Sequence, residues 1–367
     1  MHRSYTIRLK ATCRQQAVLS SLLVELCELY NAALQERRDA WKIERKQITR
    51  FDQHKELTQL RALDETSASF PLFAQRDPLN RVDLAFKAFF RRVKSRQKPG
   101  YPRFRSVSRY DSFSVDSQNF RIDGDTVIIT KLGGFRLKTH CRLRGTPKAL
   151  LIKRSGNKWQ GQVVCDIGPA PEKAAVASAI GIDIGLTTLV TLSDGSEIDN
   201  PRWTAHESDR LAEANRSLAR KVRGSKNRIK ARERLRRVHQ RIQSLRRSYL
   251  HDVSTWLLSQ YDLVAHEKLN IVGMAQGRLA KSIIDAAWGE LIWQLTYKAE
   301  EAGKYVVAVN PYGTTQICSG CGENVPKGLS QRWHSCPKCG LSLGRDHNAA
   351  INVLQRGMRC VEQSARG

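Results

Sequence analysis

A chain of 367 residues has room for roughly two to four domains with their own cores. Its 62 Lys+Arg against 35 Asp+Glu give a formal net charge of +27, more than solubility requires, and point to a polyanionic partner. No run of 18 apolar residues exists, and the start Met1-His2-Arg3-Ser4-Tyr5 has no apolar signal core, so neither membrane insertion nor secretion is expected.

Tyr5, Ile7 and Leu9 alternate as in a strand. Val18, Leu22, Leu26, Leu29 and Ala33 then recur at helical spacing, predicting an amphipathic helical stretch that continues through Trp41 toward Arg61. A second helix is predicted over residues 81–96, with Leu84, Phe86, Phe89 and Phe90 on its apolar side and Lys87, Arg91, Arg92 and Lys94 beside it. Lys98-Pro99-Gly100 ends it, since Pro and Gly break helices. Short strands are predicted near 113–115, 127–129, 135–137, 149–152 and 159–165, separated by turns such as Asp123-Gly124-Asp125. The simplest description is helices inserted into an all-β module. Its aromatic residues read as core rather than as nucleotide stackers, although periodicity alone does not separate the two. Pro171-Glu172-Lys173-Ala174-Ala175 is the expected linker between this module and the C-terminal half of the chain.

Beyond the linker, Ala179-Ile180-Gly181-Ile182-Asp183-Ile184-Gly185 and Leu186-Thr187-Thr188-Leu189-Val190-Thr191-Leu192 read as two strands of a hairpin. An acid inside a buried strand costs several kcal/mol unless something pairs with it, and a divalent cation is the usual partner. From residue 210 to residue 247 there are fifteen Lys/Arg and two acids, Glu213 and Glu233. Leu211, Leu218 and Val222, then Leu235, Val238, Ile242 and Leu245, recur at helical spacing, with Gly224-Ser225 as the turn between two helices. Like charges at i,i+4 repel, so a phosphate backbone that neutralises them is a better reading than a solvated face. The expected nucleic-acid contacts are Arg220, Lys221, Arg223, Lys226, Arg228, Lys230, Arg232, Arg236 and Arg237.

A third apolar strand, Tyr261-Asp262-Leu263-Val264-Ala265-His266-Glu267, ends on an acid. Cys318-Ser-Gly-Cys321 and Cys336-Pro-Lys-Cys339 are two CxxC knuckles fourteen residues apart, and their four thiolates close a structural tetrahedral zinc site. The other cysteines, Cys13, Cys27, Cys141, Cys165 and Cys360, show no pairing pattern and read as reduced thiols. Asp346 opens a segment whose Ala350, Ile351 and Leu354 have helical spacing. Strand acid, strand-end acid and helix-start acid are what an RNase H-like nuclease needs. There the oxygens converge on two ions about 3.5–4 Å apart, one activating water and one stabilising the leaving oxygen of a phosphodiester. Asp183, Glu267 and Asp346 are therefore the candidate catalytic and metal-binding acids, with two Mg²⁺ or Mn²⁺ ions. Hard cations prefer oxygen, so His266 and His347 are at most outer neighbours of that site, and His334 lies outside the knuckle.

Gly181-Ile182-Asp183-Ile184-Gly185, Glu267-Lys268-Leu269-Asn270-Ile271, the two knuckles and Arg345-Asp346-His347-Asn348-Ala349-Ala350 together resemble the TnpB proteins of bacterial insertion sequences, small relatives of the type V CRISPR effector nucleases. The resemblance implies an RNA-guided DNA endonuclease with guide RNA and target DNA as partners, Asp183, Glu267 and Asp346 matching its catalytic triad. It further implies an α+β multidomain chain: an N-terminal wedge β-barrel (1–13 and 101–170) with an inserted helical recognition lobe (14–100), then a split RuvC, RNase H-like α/β domain (176–315 and 343–360) with an inserted zinc ribbon (316–342) and a tail (361–367). A monomer in the prokaryotic cytoplasm, at the nucleoid, is the expectation. Two other readings stay open: a guide-independent structure-selective nuclease or transposition factor, and a non-cleaving nucleic-acid-binding regulator.

Overall fold

Alternation at Tyr5, Ile7 and Leu9 builds β1 (His2–Lys10), which buries these three side chains. In the computed structural model, which describes residues 1–138, 142–156, 158–328 and 330–366, the chain divides into two units, Met1–Pro169 and Ala170–Gly367. Cys141 and the end of the expected tail lie outside the described residues, and no disulfide joins any of the described cysteines.

In the first unit, α1 (Cys13–Glu44) opens on a capping box between Thr12 and Gln15 and buries Leu19, Leu22, Leu23, Leu26 and Tyr30. Its length and a mean hydropathy of 1.4 over its most apolar window would suit a membrane span. That apolar stripe is nonetheless part of the unit's core. The single stretch expected to run toward Arg61 is instead two helices. Arg45 ends α1 in the left-handed region (φ 53°), and a second capping box, Thr49 with Asp52, starts α2 (Arg50–Leu63). Local capping at both ends outweighs the continuing apolar period. After α3 (Glu65–Ser69), α4 (Leu72–Lys94) begins well before residue 81 and carries Pro78 inside it, leaving the Ala74 carbonyl without its helical donor.

The apolar side expected for α4 is also corrected. Its buried residues are Ala74, Gln75, Pro78, Leu79 and Val82, whereas Leu84 and Phe90 are 63% and 59% exposed. α4 packs against α1 and α2, and its second half still meets α1 where Asp83 and Phe86 face Arg37.

Six strands complete the unit: β2 (Ser112–Asp116), β3 (Phe120–Asp123), β4 (Thr126–Ile129), β5 (Gly133–Lys138), β6 (Thr146–Ser155) and β7 (Lys158–Asp166). With β1 they form one antiparallel sheet in the order β2-β6-β7-β1-β5-β4-β3. β1 therefore lies between strands made after the helices, so the helices are an insertion into the sheet. β3 was not expected, although Phe120 and Ile122 alternate just before the Asp123-Gly124 turn. The end strands β2 and β3 do not pair with each other among the described residues, so the expected barrel is an open sheet.

The second unit contains β8 (Ala179–Ile184), β9 (Thr188–Leu192), β10 (Glu197–Asp199), α5 (Trp203–His206), α6 (Ser208–Ala219), α7 (Lys226–Gln260), β11 (Leu263–Glu267), α8 (Ile271–Met274), α9 (Ala280–Ala286), α10 (Trp288–Ala302), β12 (Tyr305–Val309), β13 (Trp333–Ser335), β14 (Ser342–Gly344) and α11 (Arg345–Arg366). Its main sheet has the order β10-β9-β8-β11-β12, antiparallel up to β8 and parallel from β8 to β12. Alternation along the strands splits two cores. Ile180, Ile182, Ile184 and Val264 meet Leu250 and Leu257 of α7 and Leu291 and Leu295 of α10. On the other face Leu263, Ala265 and Val309 meet Val353 of α11. α11 approaches this face at backbone distance. A Cβ on Gly181 would lie 2.1 Å from the Ala350 carbonyl oxygen, and one on Gly357 would lie 2.4 Å from the Ala265 Cβ.

Candidate active site

Asp183 follows Gly181, and Glu267 follows Ala265, by two positions on strands whose side chains alternate, so both acids point to the face that α11 covers. β8 and β11 run parallel with Gly181 opposite Ala265 and Ile182 opposite His266. One further step puts Asp183 beside Glu267 on strands about 4.8 Å apart. Asp346 stands in the first turn of α11, whose start reaches that end of the sheet. Burial pushes the Asp183 carboxyl up to about 8, with the charges of Glu267 and Asp346 adding to it and Arg345 opposing. Burial likewise raises Glu267, against its hydrogen bond from Thr314 and the charge of Arg356. Asp346 pairs with Arg345 at 3.2 Å and with Arg332 at 3.9 Å.

This donor set fits divalent cations. Asp183 and Glu267 share a desolvated corner, Asp346 stands at its rim with its side chain 37% exposed, and the Arg345 charge does not restore an ordinary acidity to Asp183. Metal charge would favour their ionised forms. Their oxygens are hard ligands of the kind Mg²⁺ and Mn²⁺ select.

The histidines are accounted for separately. His266 is buried, its Nδ1 lies 2.9 Å from the Glu267 carbonyl oxygen, and burial depresses its pKa. His347 sets its ring against Gly195, with Nε2 3.2 Å from the Ser193 carbonyl oxygen. His334 is buried and its Nδ1 contacts Lys327.

Sequence reasoning missed the residues that hold the acids in place. The buried Thr314 donates its hydroxyl to Glu267 Oε1. Its carbonyl accepts from Asn352 at 2.8 Å and from Asn348 at 3.3 Å, and both amides also donate to the Ile317 carbonyl. Asn348 Oδ1 in turn accepts from the Ser319 N–H at 3.0 Å. Two buried asparagines one helical turn apart thus tie the segment that leads into the first knuckle to the helix that carries Asp346. The run Asn348-Ala-Ala-Ile-Asn352, with amides at i and i+4 inside an apolar stripe, is the sequence signal that marks them.

The four cysteines converge as expected. The sulfurs of Cys318, Cys321, Cys336 and Cys339 all lie within 4.8 Å of one another, with Cys318–Cys339 and Cys321–Cys336 both at 3.6 Å. Tetrahedral sulfur at about 2.3 Å from a common zinc gives edges of about 3.8 Å, so the set fits that ion. Among the described residues it is the only group of three or more such ligands this tight, and His334 is not part of it.

The basic segment forms α6 and the first half of α7, with Ser225 capping α7. Between Ala231 and Leu250 only Ile242 is buried, so the charged half of α7 has α6 as its main neighbour. Arg220, Lys221, Arg223, Lys226, Lys230 and Arg232 are exposed. Arg228 instead donates to the Leu218 and Lys221 carbonyls at 3.1 and 2.8 Å, closing the α6–α7 turn. Arg236 and Arg237 pair with Glu233 at 2.8 and 3.6 Å.

Residues 162–278, which carry Asp183 and Glu267, match the family OrfB_IS605, described as a probable transposase. Residues 288–353, which carry the cysteines and Asp346, match the Cas12f1-like TNB domain. A Streptomyces pristinaespiralis protein named "Putative RNA-guided DNA endonuclease" is 32% identical over 97% of this chain and 89% of its own length. The chain belongs to the TnpB family. Another relative, "Putative RNA-guided DNA endonuclease InsQ" of Escherichia coli, is 29% identical over 79% of the chain and 76% of its own length. At the level of fold, the TnpB chain is similar to the protein in a cryo-EM structure of a Cas12f1–sgRNA–target DNA complex, with a TM-score of 0.59 at 14% identity over 93% of this chain and 83% of that one.

Proposed function

We propose that this TnpB-family chain is an RNA-guided DNA endonuclease whose cutting centre is Asp183, Glu267 and Asp346. One observation carries the reading: the β8–β11 register and the start of α11 gather three acids, distant in sequence, at one corner where Asp183 and Glu267 are desolvated. Membership of a family whose relatives are named for guided DNA cleavage supports it.

In this reading Asp183, Glu267 and Asp346 hold Mg²⁺ or Mn²⁺, and the four cysteines hold zinc. Bound there, two hard cations would supply an activated water and charge stabilisation for the leaving oxygen of a phosphodiester. The chain's own residues position that chemistry. Thr314 fixes one oxygen of Glu267, Arg345 and Arg356 temper the negative corner, and the Asn348 and Asn352 amides fix α11 against the ribbon. The exposed cations of α6 and α7 hold nucleic-acid backbone, while base pairing with a guide reads most of the target and the protein reads a short flanking motif. The domain layout that goes with this is a wedge module at 1–13 and 101–170, a recognition lobe at 14–100, a RuvC nuclease at 176–315 and 343–360, and a zinc ribbon at 316–342.

The test is expression with native flanking DNA. The protein should purify with a discrete RNA and cut only duplexes that match the variable part of that RNA beside a fixed short motif. RNA-free protein that cuts matched and unmatched duplexes alike would replace guidance with structure-selective cleavage. Binding without any cutting in Mg²⁺ or Mn²⁺ would favour the regulator.

A further inference from the structure

A cavity of about 700 Å³ opens in the N-terminal unit, bounded by α1, the 46–49 loop, the second half of α4 and Tyr101. That size falls within the range of about 300–1,000 Å³ usual for small-ligand sites. Its wall is a connected aromatic cluster. Phe89 lies 5.2 Å from Phe90 and 5.4 Å from Tyr101, and Phe86 lies 5.7 Å from Tyr101, centroid to centroid. Trp41 also lines the cavity, and it, Phe90 and Tyr101 are 54%, 59% and 46% exposed. Aromatic rings left this open in one place mark a surface that something covers.

Arg37 is set into the same wall and is 9% exposed. Its Nε donates to Gln53 Oε1 at 2.9 Å and its Nη1 reaches Asp83 Oδ1 at 3.3 Å, while its Nη2 is buried with no partner among the described residues. A guanidinium nitrogen has only donors, so this one, in a guanidinium set over the Phe86 ring at 5.8 Å, gains from any acceptor that a ligand brings to it. Lys46 and Lys87 add positive charge, and the sole lining carboxylate, Asp83, is already shared between Arg37 and Lys87.

Stacking walls, one buried donor in search of an acceptor and a surplus of cations together fit an aromatic heterocycle that carries phosphates. We propose that this cavity takes an unpaired base of the RNA partner, stacked on Trp41 and Phe90, with an acceptor edge toward Arg37 and the flanking phosphates near Lys46 and Lys87. The inference rests on the RNA-guided reading above. RNA is the occupant because folded RNA presents splayed bases from loops and bulges, where aromatic and arginine planes receive them.

The test uses the full chain and a short single-stranded RNA bearing 4-thiouridine. After irradiation, mass spectrometry should find adducts on Trp41, Phe90 or Tyr101. Replacing the exposed pair, Trp41→Ala with Phe90→Ala, should remove those adducts and weaken binding of the same RNA by about fivefold or more. Trp41→Phe with native Phe90 should restore both. Adducts confined to α6 and α7, with unchanged affinity in the double variant, would overturn the proposal and leave guided cleavage, which the matched-DNA assay reads separately, standing. Stronger adducts at the cavity from a DNA oligonucleotide of the same sequence would overturn the choice of RNA.

Discussion

The second unit assembles two candidate ligand sets, and it builds them in opposite ways. Four sulfurs come from two tight turns and already lie within 4.8 Å of one another. Three acids come from two strands and a helix whose spacing is set by strand register, by α11 packing and by asparagine pins. Among the described residues the ribbon has just the short β13–β14 pair for a sheet of its own, so its order should depend on an ion at the four cysteines. Asp183 and Glu267 sit on a sheet with cores on both faces and Asp346 on a helix packed against it, so protein packing sets their places. Removing a ligand should therefore cost activity in one place and structure in the other.

The largest effect is expected at the acids. Asp183→Ala, Glu267→Ala or Asp346→Ala should each lower DNA cleavage by at least about 10³-fold, the several kcal/mol that bound cations contribute. Far-UV circular dichroism and RNA binding should stay as in the parent chain. A normally folded Asp183→Ala that cuts at near the parent rate would break the comparison.

Cys336→Ser should show the reverse pattern. Elemental analysis should lose one zinc per chain, and amide exchange should accelerate across 316–342 while the strands bearing Asp183 and Glu267 stay protected. Uniform exchange throughout the unit would mean that the ribbon supports the sheet as well.

Thr314→Val sharpens the contrast, because it removes one hydroxyl next to an acid and leaves the packing volume. The Glu267 oxygen loses its donor, and cleavage should fall about tenfold, within the roughly 1–3 kcal/mol of an unmade buried hydrogen bond. Thr314→Ser should recover most of it. A parent-like rate in Thr314→Val together with a loss in Thr314→Ser would assign Thr314 a packing role only.

The smallest effect is in stability against pH. Burial raises Asp183 from an ordinary 3.8 to about 8, and Glu267 moves in the same direction. Folding therefore favours the protonated acid. Stability from this source is complete below about pH 4 and declines as pH climbs toward 8. Melting temperature without divalent hard cations should drop across that window. Mg²⁺ should offset the drop, and Asp183→Asn should flatten it. A slope unchanged in Asp183→Asn would place the proton elsewhere.

The acids and cysteines were legible in the sequence because ligand chemistry restricts both residue type and spacing. The hairpin of β8 and β9, the Asp346 helix and the turn at Gly224 were legible because periodicity and punctuation are local. Thr314, Asn348 and Asn352 were not, since a buried amide announces its partner only once strands and helices have packed. The break after Arg45 could have been read from Thr49-x-x-Asp52, yet the apolar period runs on through it. On α4, Leu84 is two positions from Val82 and so lies on another face, whereas Phe90 keeps the period of Val82 and is still 59% exposed. Arg228, Arg236 and Arg237 carry the same charge as their neighbours and differ only in having acceptors within reach.

The contact of α11 with the sheet at Gly181 and Gly357 makes that helix a lever. Asp346 lies about 6 Å along the axis on one side of Ala350, where Gly181 forms the fulcrum, and Gly357 lies about 10 Å away on the other side. A methyl group at Gly357 would meet the Ala265 Cβ at 2.4 Å and push that arm outward. A shift of about 1 Å there swings Asp346 by roughly 0.6 Å in the opposite sense, against the about 0.5 Å within which reacting groups must be held. The proposed cutting centre should thus be open to detuning from the far end of the helix by a single carbon atom. Comparing cleavage rates of Gly357→Ala and the parent chain at equal zinc content would read the length of that arm directly.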